Sequence, residues 1–229
     1  MATGAVGTDA LLEEGAVSSD EWGYRDRVRM AYERSAQGVR MGYRGRGSHR
    51  LVAIDRCAVA SDGINEALES AREDLGERGC KSGEVTLLAH AHGVSWSFVG
   101  DDGQPARGGS DEPSLRVAGR PFRVDVEGFS QANAGVTEAI GRHVEAYAAA
   151  CSGDRALELF AGSGTWTLSL LAVGKRVEAY EVDARARDAF LENTAHGETT
   201  FHVADLLDTG VPEPPPGRAD LVVLDPPRG

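Results

Sequence analysis

The second half of the sequence alternates short apolar strands with helical patterns, and this rhythm restricts the fold more than any other feature. A helix over about residues 135–150 precedes the apolar run at 156–160, and a glycine-rich turn then leads into a second helix. Further segments follow in the order strand, helix, strand, strand, at 176–183, 184–193, 199–205 and 220–225. Strands separated by single helices predict a parallel, doubly wound α/β sheet.

The first half has a different pattern, with a period of two. Val28, Met30 and Tyr32 alternate with more polar neighbours, and similar short stretches recur up to about residue 127. Alternation broken by turn residues predicts antiparallel hairpins. One helix is expected over 63–78, capped by Asp62, and a Gly/Asp/Pro loop over 101–113. This half is predicted to be α+β, with a boundary near 128–133.

Composition excludes several classes of protein. Hydrophobic residues make up 41% of the 229, and no apolar run has the length of a membrane span. The first residues do not follow the basic-then-apolar order of a signal peptide, so a cytoplasmic location is expected. Cys57, Cys80 and Cys151 form no CxxC pair, which predicts free thiols rather than a zinc site or disulfide framework.

The charge distribution is uneven although the chain carries −12 overall. Residues 23–56 contain nine arginines against three acidic residues, a net +6, so the remainder carries −18. A basic stretch on an acidic protein is typical of a phosphate-binding face. The alternative is a solvated hairpin whose arginines pair with acidic neighbours. Charge alone favours neither interpretation.

The glycine-rich turn at 161–164 lies where a strand passes into a helix. Gly162 and Gly164 allow a tight turn and a close approach of the backbone to a ligand. The third glycine of a dinucleotide-binding fingerprint is absent, and Trp166 and Thr167 occupy that region. A dinucleotide-dependent enzyme is therefore disfavoured.

Acidic residues stand at the ends of the three strands that follow. Glu181 comes 17 residues after Gly164, where a carboxylate can accept hydrogen bonds from both hydroxyls of a ribose. Asp205 can accept a hydrogen bond from an adenine amino group or cap the next helix. Asp225 ends an apolar strand, predicted to be buried, and begins a rigid Asp-Pro-Pro exit. Glu181 alone would be an ordinary surface acid, but in series with the glycine-rich turn it indicates a ribose site. The apolar strand followed by Asp-Pro-Pro is the most specific of these elements.

The segment Phe-Ser-Gln-Ala-Asn at 129–133 precedes the helix that leads into the sheet. If it is extended, Gln131 and Asn133 point the same way. Amide side chains both donate and accept hydrogen bonds, which suits an amino acid or the edge of a base.

These segments resemble, in sequence and order, the RNA (uracil-5-)-methyltransferase family. The resemblance covers roughly residues 22–229, and Phe-x-Gln-x-Asn and Asp-Pro-Pro-Arg are its most specific motifs. It implies a partial Rossmann-like class I methyltransferase sheet that binds S-adenosylmethionine, preceded by an α+β domain of hairpins that faces tRNA or rRNA. The expected division is a disordered tail over 1–21, an RNA-facing domain over 22–128, and the N-terminal part of the methyltransferase domain over 129–229.

The resemblance also implies roles for single residues. Cofactor contacts are expected from Gln131, Phe160, Gly162, Gly164, Thr165, Glu181, Asp205 and Asp225. RNA contacts are expected from Arg25, Arg27, Arg29, Arg44 and Arg46.

Two features of the family have no match in this sequence. The nucleophilic cysteine and the general-base glutamate are expected beyond Gly229. Only Cys57 matches a ligand of the iron–sulfur cluster found in some members, so no cluster and no other metal are expected. The leading hypothesis is part of an enzyme that methylates uridine C5 in RNA, with this chain alone inactive. The alternative is a non-catalytic RNA- or cofactor-binding module.

Overall fold

The computed structural model describes residues 20–101, 103–210 and 219–227. The predicted tail over 1–21, except for its last two residues, and Arg228 of the Asp-Pro-Pro-Arg motif lie outside these ranges. No helix in the described part of the chain is long and apolar enough to cross a membrane.

Six antiparallel strands form the sheet of the first half, as the period-two pattern predicts. The order in space is β3-β2-β1-β4-β5-β6. The strands are β1 (Arg27–Ser35), β2 (Gly38–Arg44), β3 (Leu51–Ala53), β4 (Ser82–His90), β5 (Gly93–Val99) and β6 (Pro105–Gly109).

Helix α1 (Asp62–Glu77) covers one face of this sheet. Its helical spacing places Ile64, Leu68, Ala71 and Leu75 in the core, where all four are buried. The predicted cap is wrong, because Asp62 is the first residue of the helix rather than the residue before it, and its carboxylate pairs with an arginine in the preceding loop.

Strand β6 corrects the loop predicted over 101–113. Its glycines lie against the indole of Trp96, and a Cβ at Gly108 would come within 2.4 Å of Trp96 Nε1. Only residues without side chains let the edge strand pass over this ring. The glycines of this segment therefore serve close packing between strands rather than a loop.

A two-stranded hairpin and then a parallel sheet follow the six-stranded sheet along the chain. The hairpin consists of β7 (Ser114–Val117) and β8 (Arg120–Arg123). The parallel sheet has the order β11-β10-β9-β12, which confirms the predicted α/β fold class. Its elements are α2 (Ala134–Ala150), β9 (Arg155–Leu159), α3 (Thr167–Ala172), β10 (Arg176–Glu181), α4 (Ala186–Asn193), β11 (Thr199–Val203), α5 (Leu206–Thr209) and β12 (Leu221–Leu224).

The two halves share buried apolar contacts. Leu88 of β4 packs with the β7–β8 hairpin, with the segment after it and with Leu168 of α3. A separate cluster fills the space between the parallel sheet and α2, α3 and α4, and includes Ala148, Leu170, Ala179 and Phe190. Burial of this kind, at about 25 cal/mol per Å², is the main force that holds the hairpins against the parallel sheet.

Strand β12 is less buried than its apolar sequence suggests. It pairs with β9 on one side and is the last strand of its sheet in the described part of the chain. Leu221 is buried, but Val222 is 49% and Leu224 58% exposed. The prediction of a buried strand is therefore wrong for its outward face.

Because β12 is an outer strand of the described sheet and two of its apolar side chains are exposed, it is expected to favour self-association through pairing with another strand. Leu224→Lys should raise the monomer fraction in sedimentation velocity. Leu191→Lys is the matched control, since Leu191 is similarly exposed, at 46%, on α4. A wild-type chain that stays monomeric at high concentration would contradict the expectation.

Candidate cofactor site

The predicted ligand-binding acids gather at one edge of the parallel sheet. Strand β9 lies between β10 and β12, and the pairs Leu159–Tyr180 and Leu159–Leu224 set the register. Because parallel strands end at the same edge, Glu181 and Asp225 come next to the turn that follows β9. Asp205 lies at the same edge, since Ala204 N donates to Glu181 O at 2.9 Å.

The glycine-rich turn is held by the strand beside it. Ala161 N donates to Tyr180 O at 3.0 Å, and Gly162 N donates to Glu181 Oε2 at 2.8 Å. The second oxygen, Glu181 Oε1, accepts from Asp183 N at 2.9 Å. The chain enters the turn through Phe160 at a φ of 62°, an uncommon conformation outside glycine. Glu181 therefore fixes the turn as well as facing the site.

The two predicted glycines serve different purposes. A Cβ at Gly162 would meet nothing within 4 Å, so this position borders open space beside Glu181. A Cβ at Gly164 would come within 3.0 Å of the Phe190 ring, so this glycine permits packing against α4. The open space at Gly162 leaves room for a ligand to approach the backbone.

Asp225 is the meeting point of three segments. Its Oδ2 accepts a hydrogen bond from Gln131 Nε2 at 2.9 Å and another from Trp166 Nε1 at 3.4 Å. Gln131 and Asp225 are 94 residues apart, so the structure brings together two residues that were predicted separately. Trp166 was not predicted as a site residue, because its indole partner is apparent only in three dimensions.

Asn133 and Asp205 serve as helix caps. Asn133 Oδ1 accepts a hydrogen bond from Val136 N at 3.0 Å and thereby caps the N-terminus of α2. Asp205 Oδ1 accepts from Leu207 N at 3.0 Å and begins α5, as the alternative interpretation of that residue predicts. Capping does not exclude a ligand contact, because a carboxylate has further acceptor positions.

A cleft lies beside Gln131 and Thr165. Its other polar residues include Asp26 from the start of the first sheet and Arg116 from β7, with Phe122 of β8 as part of its apolar wall. Burial raises the pKa of the Asp26 carboxyl. The cleft is therefore built from both halves of the chain and adjoins the residues around Asp225.

Glu158 is a buried acid that the sequence analysis missed. It is 1% exposed, directly beneath the turn on β9, and accepts a hydrogen bond from Thr167 Oγ1 at the start of α3. Its Oε1 has no hydrogen-bond partner among the described residues. Burial raises the pKa of Glu158 to about 8. Glu158 lies inside the apolar run at 156–160, and the run alone does not show that both faces of β9, and with them this carboxylate, are buried.

The predicted RNA-binding arginines fall into two groups. The first group has partners within the protein. Arg29 pairs with Glu84 and Arg44 with Glu33, as the solvated-hairpin alternative expects. The guanidinium of Arg27 donates to Val126 O at 3.1 Å and to Ser130 Oγ at 3.3 Å. Arg25 and Arg46 are exposed, and neither forms a salt bridge within the described ranges.

No group of three or more histidine, cysteine or acidic residues in the described part of the chain is placed to hold a metal ion. Cys57 and Cys80 are buried free thiols, and Cys151 is partly buried.

Comparison with known proteins identifies similar sequences, although no protein-family model matches. An uncharacterised RNA methyltransferase of Nitrosomonas europaea is 29% identical over 237 residues, covering 97% of this chain and 53% of the relative. The 23S rRNA (uracil(1939)-C(5))-methyltransferase RlmD of Shewanella amazonensis is 25% identical over 248 residues, covering 93% and 56%. The resemblance to RNA (uracil-5-)-methyltransferases is confirmed. The chain spans about half the length of the curated relatives it matches.

A solved structure shows that the resemblance extends to the fold. The tRNA (uracil-54, C5)-methyltransferase of Pyrococcus abyssi, in complex with S-adenosyl-L-homocysteine, matches with a TM-score of 0.72 at 19% identity. The match covers 91% of this chain and 61% of that one. The likeness shows that this chain shares with that structure an α+β region of antiparallel strands followed by a parallel sheet.

Glu158 should make stability fall as pH rises. In the unfolded chain this carboxyl has a pKa near 4.5, whereas the folded state raises it to about 8. Between these values the folded protein holds a proton that the unfolded chain releases, so the free energy of unfolding decreases with pH. Glu158→Gln stays neutral, and its stability relative to wild type should increase by a few kcal/mol from pH 5 to pH 8 in urea unfolding. An unchanged difference would show that Glu158 is ionised in the fold.

Proposed function

We propose that this chain forms the S-adenosylmethionine-binding part of an enzyme that methylates C5 of uridine in tRNA or rRNA. The observation that carries the proposal is the meeting of two arrangements at one edge of the sheet. One is the turn held by Glu181, and the other is Asp225 with Gln131 and Trp166. The similarity to RNA methyltransferases supports this choice among nucleoside ligands.

Each predicted contact has a place at this edge. We assign Glu181 to the ribose hydroxyls, since each of its oxygens retains acceptor capacity after its bond to a backbone N–H. We assign Asp205 to the adenine amino group. Val182 and Leu207, next to these acids, are 55% and 75% exposed, so apolar surface is available for the faces of the base.

The amino-acid end of the cofactor and the uracil are assigned to the other side of the turn. In this proposal Phe160, Gly162, Gly164 and Thr165, which lead from β9 toward α3, border a cofactor bound between Glu181 and Asp225. Bound S-adenosylmethionine supplies the methyl group. In this proposal Gln131 and Asp225 orient the reacting groups beside the cleft.

We assign no nucleophile within the chain. Methylation at C5 requires a thiolate to add to C6 of uracil and a base to remove the C5 proton. Cys57 and Cys80 belong to the core of the first sheet, and Cys151 follows α2 at the opposite ends of the strands. Because all three cysteines lie away from the edge that carries Asp225, the second candidate function is a cofactor- or RNA-binding module that does not itself catalyse methyl transfer.

The partners and location follow from the same proposal. An RNA-modifying enzyme is expected in the cytoplasm, with tRNA or rRNA as its partner. We propose no iron–sulfur cluster, because Cys57 alone matches a cluster ligand.

Binding of S-adenosylhomocysteine tests the cofactor assignment. Glu181→Ala should weaken binding about 10- to 100-fold in calorimetry, as expected for the loss of hydrogen bonds to a charged group. Glu178→Ala is the matched control. Glu178 lies on the same strand but bonds to Tyr180 Oη at 2.8 Å, away from the edge. If the folded wild type does not bind, or if both variants bind equally, the assignment is wrong.

Two arginine variants separate RNA contact from internal structure. Arg46→Ala should weaken RNA binding and reduce its salt slope by about one, without changing stability. Arg27→Ala should lower the free energy of unfolding by about 2 kcal/mol, because it removes hydrogen bonds from a half-buried guanidinium. Salt-independent RNA binding, or equal effects of the two variants on stability, would contradict this division.

A further inference from the structure

Asn193, the last residue of α4, joins three separate parts of the chain through one side chain. It is 8% exposed. Its Oδ1 accepts a hydrogen bond from Arg123 N at 2.8 Å, and its Nδ2 donates to Arg123 O at 2.9 Å. The same Nδ2 donates to Ser163 O at 2.9 Å. Three of the four hydrogen bonds available to an amide are therefore made within the protein.

The partners of Asn193 are the two structures that border the proposed site. Ser163 is the middle residue of the turn between Gly162 and Gly164, and it is itself buried. Arg123 ends β8, and the β7–β8 hairpin forms a wall of the cleft beside Gln131 and Thr165. The side chain thus connects the cofactor turn directly to the wall of the cleft.

The chemistry of these bonds restricts the residue type. Both Arg123 O and Ser163 O are acceptors and need N–H donors, while Arg123 N needs an acceptor. Asparagine supplies both on a short side chain, whereas aspartate supplies acceptors only. A buried carbonyl left without a hydrogen-bond donor destabilises the folded protein, so the turn or the hairpin would have to shift to find another donor.

We infer that Asn193 is a positioning residue that sets the glycine-rich turn against the β7–β8 hairpin and thereby fixes the spacing between the cofactor site and the cleft. The part of this inference that concerns the cofactor rests on the proposed function. The mechanical link between the turn and the hairpin does not, and it has a test that needs no ligand.

The variant Asn193→Asp keeps the acceptor for Arg123 N and removes both donors. We expect the amide resonances of Gly162 and Gly164 to shift in glycine-labelled protein, while those of Gly42 and Gly83 in the first sheet stay in place. S-adenosylhomocysteine affinity should fall at least tenfold.

Arg123→Ala is the matched control. It removes the ion pair between Arg123 and Glu192, which joins the same two elements, but leaves the backbone N–H and C=O that Asn193 holds. The control should keep wild-type glycine resonances and bind within twofold of wild type. Equal shifts in both variants would overturn the inference, because any link between α4 and β8 would then suffice.

A measurement on the wild type covers the case in which Asn193→Asp does not fold. Addition of S-adenosylhomocysteine should slow hydrogen exchange at the Arg123 amide as well as at Gly162, since both are tied through Asn193. Slowing at Gly162 alone would overturn the link. Wild-type protein that does not bind at all would refute the proposed function, and the glycine resonances of the variant would still decide the role of Asn193.

Discussion

The hydrogen bonds of Glu181 are the constraint on which the rest of the site depends. A turn with a positive φ at Phe160 and at two glycines has little intrinsic preference for one shape, and the carboxylate at the end of β10 fixes it by accepting from Gly162 N. The register of two parallel strands brings that carboxylate within reach. The residue proposed to bind the ribose is thus also the residue that shapes the turn, so its loss should affect both.

The site is assembled from both halves of the chain, and polar contacts hold the halves in place. Gln131 reaches Asp225 because the segment before α2 is fixed to the first sheet. Asp26 N donates to Ala132 O at 2.8 Å, and Arg27 donates to Ser130 and Val126. These bonds are made by groups with little exposure, where a hydrogen bond has few water competitors. The first sheet therefore helps to hold Gln131 in position at the candidate cofactor site.

Local pattern predicted the elements whose form depends on their own sequence. The ends of β9, β10 and β12 follow from apolar runs, so Glu181 and Asp225 were found by their position at strand ends. Asn193 was not, because its role depends on Arg123, 70 residues away. Strand β6 was missed for a similar reason, since its glycines are explained only by the Trp96 ring. Residues that serve contacts between distant segments leave no periodic signal.

The net charge of the arginine-rich segment likewise does not show which of its guanidinium groups are paired with acidic residues. A net +6 over residues 23–56 indicates a basic surface, but the count does not record where each guanidinium points. Glu84 and Glu33 neutralise Arg29 and Arg44, and Glu84 lies outside the counted segment. Arg25 and Arg46 are exposed and form no salt bridge in the described ranges. In the proposed function, RNA affinity should therefore depend on exposed, unpaired cations such as Arg25 and Arg46 more than on the total charge, because each can neutralise a phosphate and release a counterion condensed on the RNA.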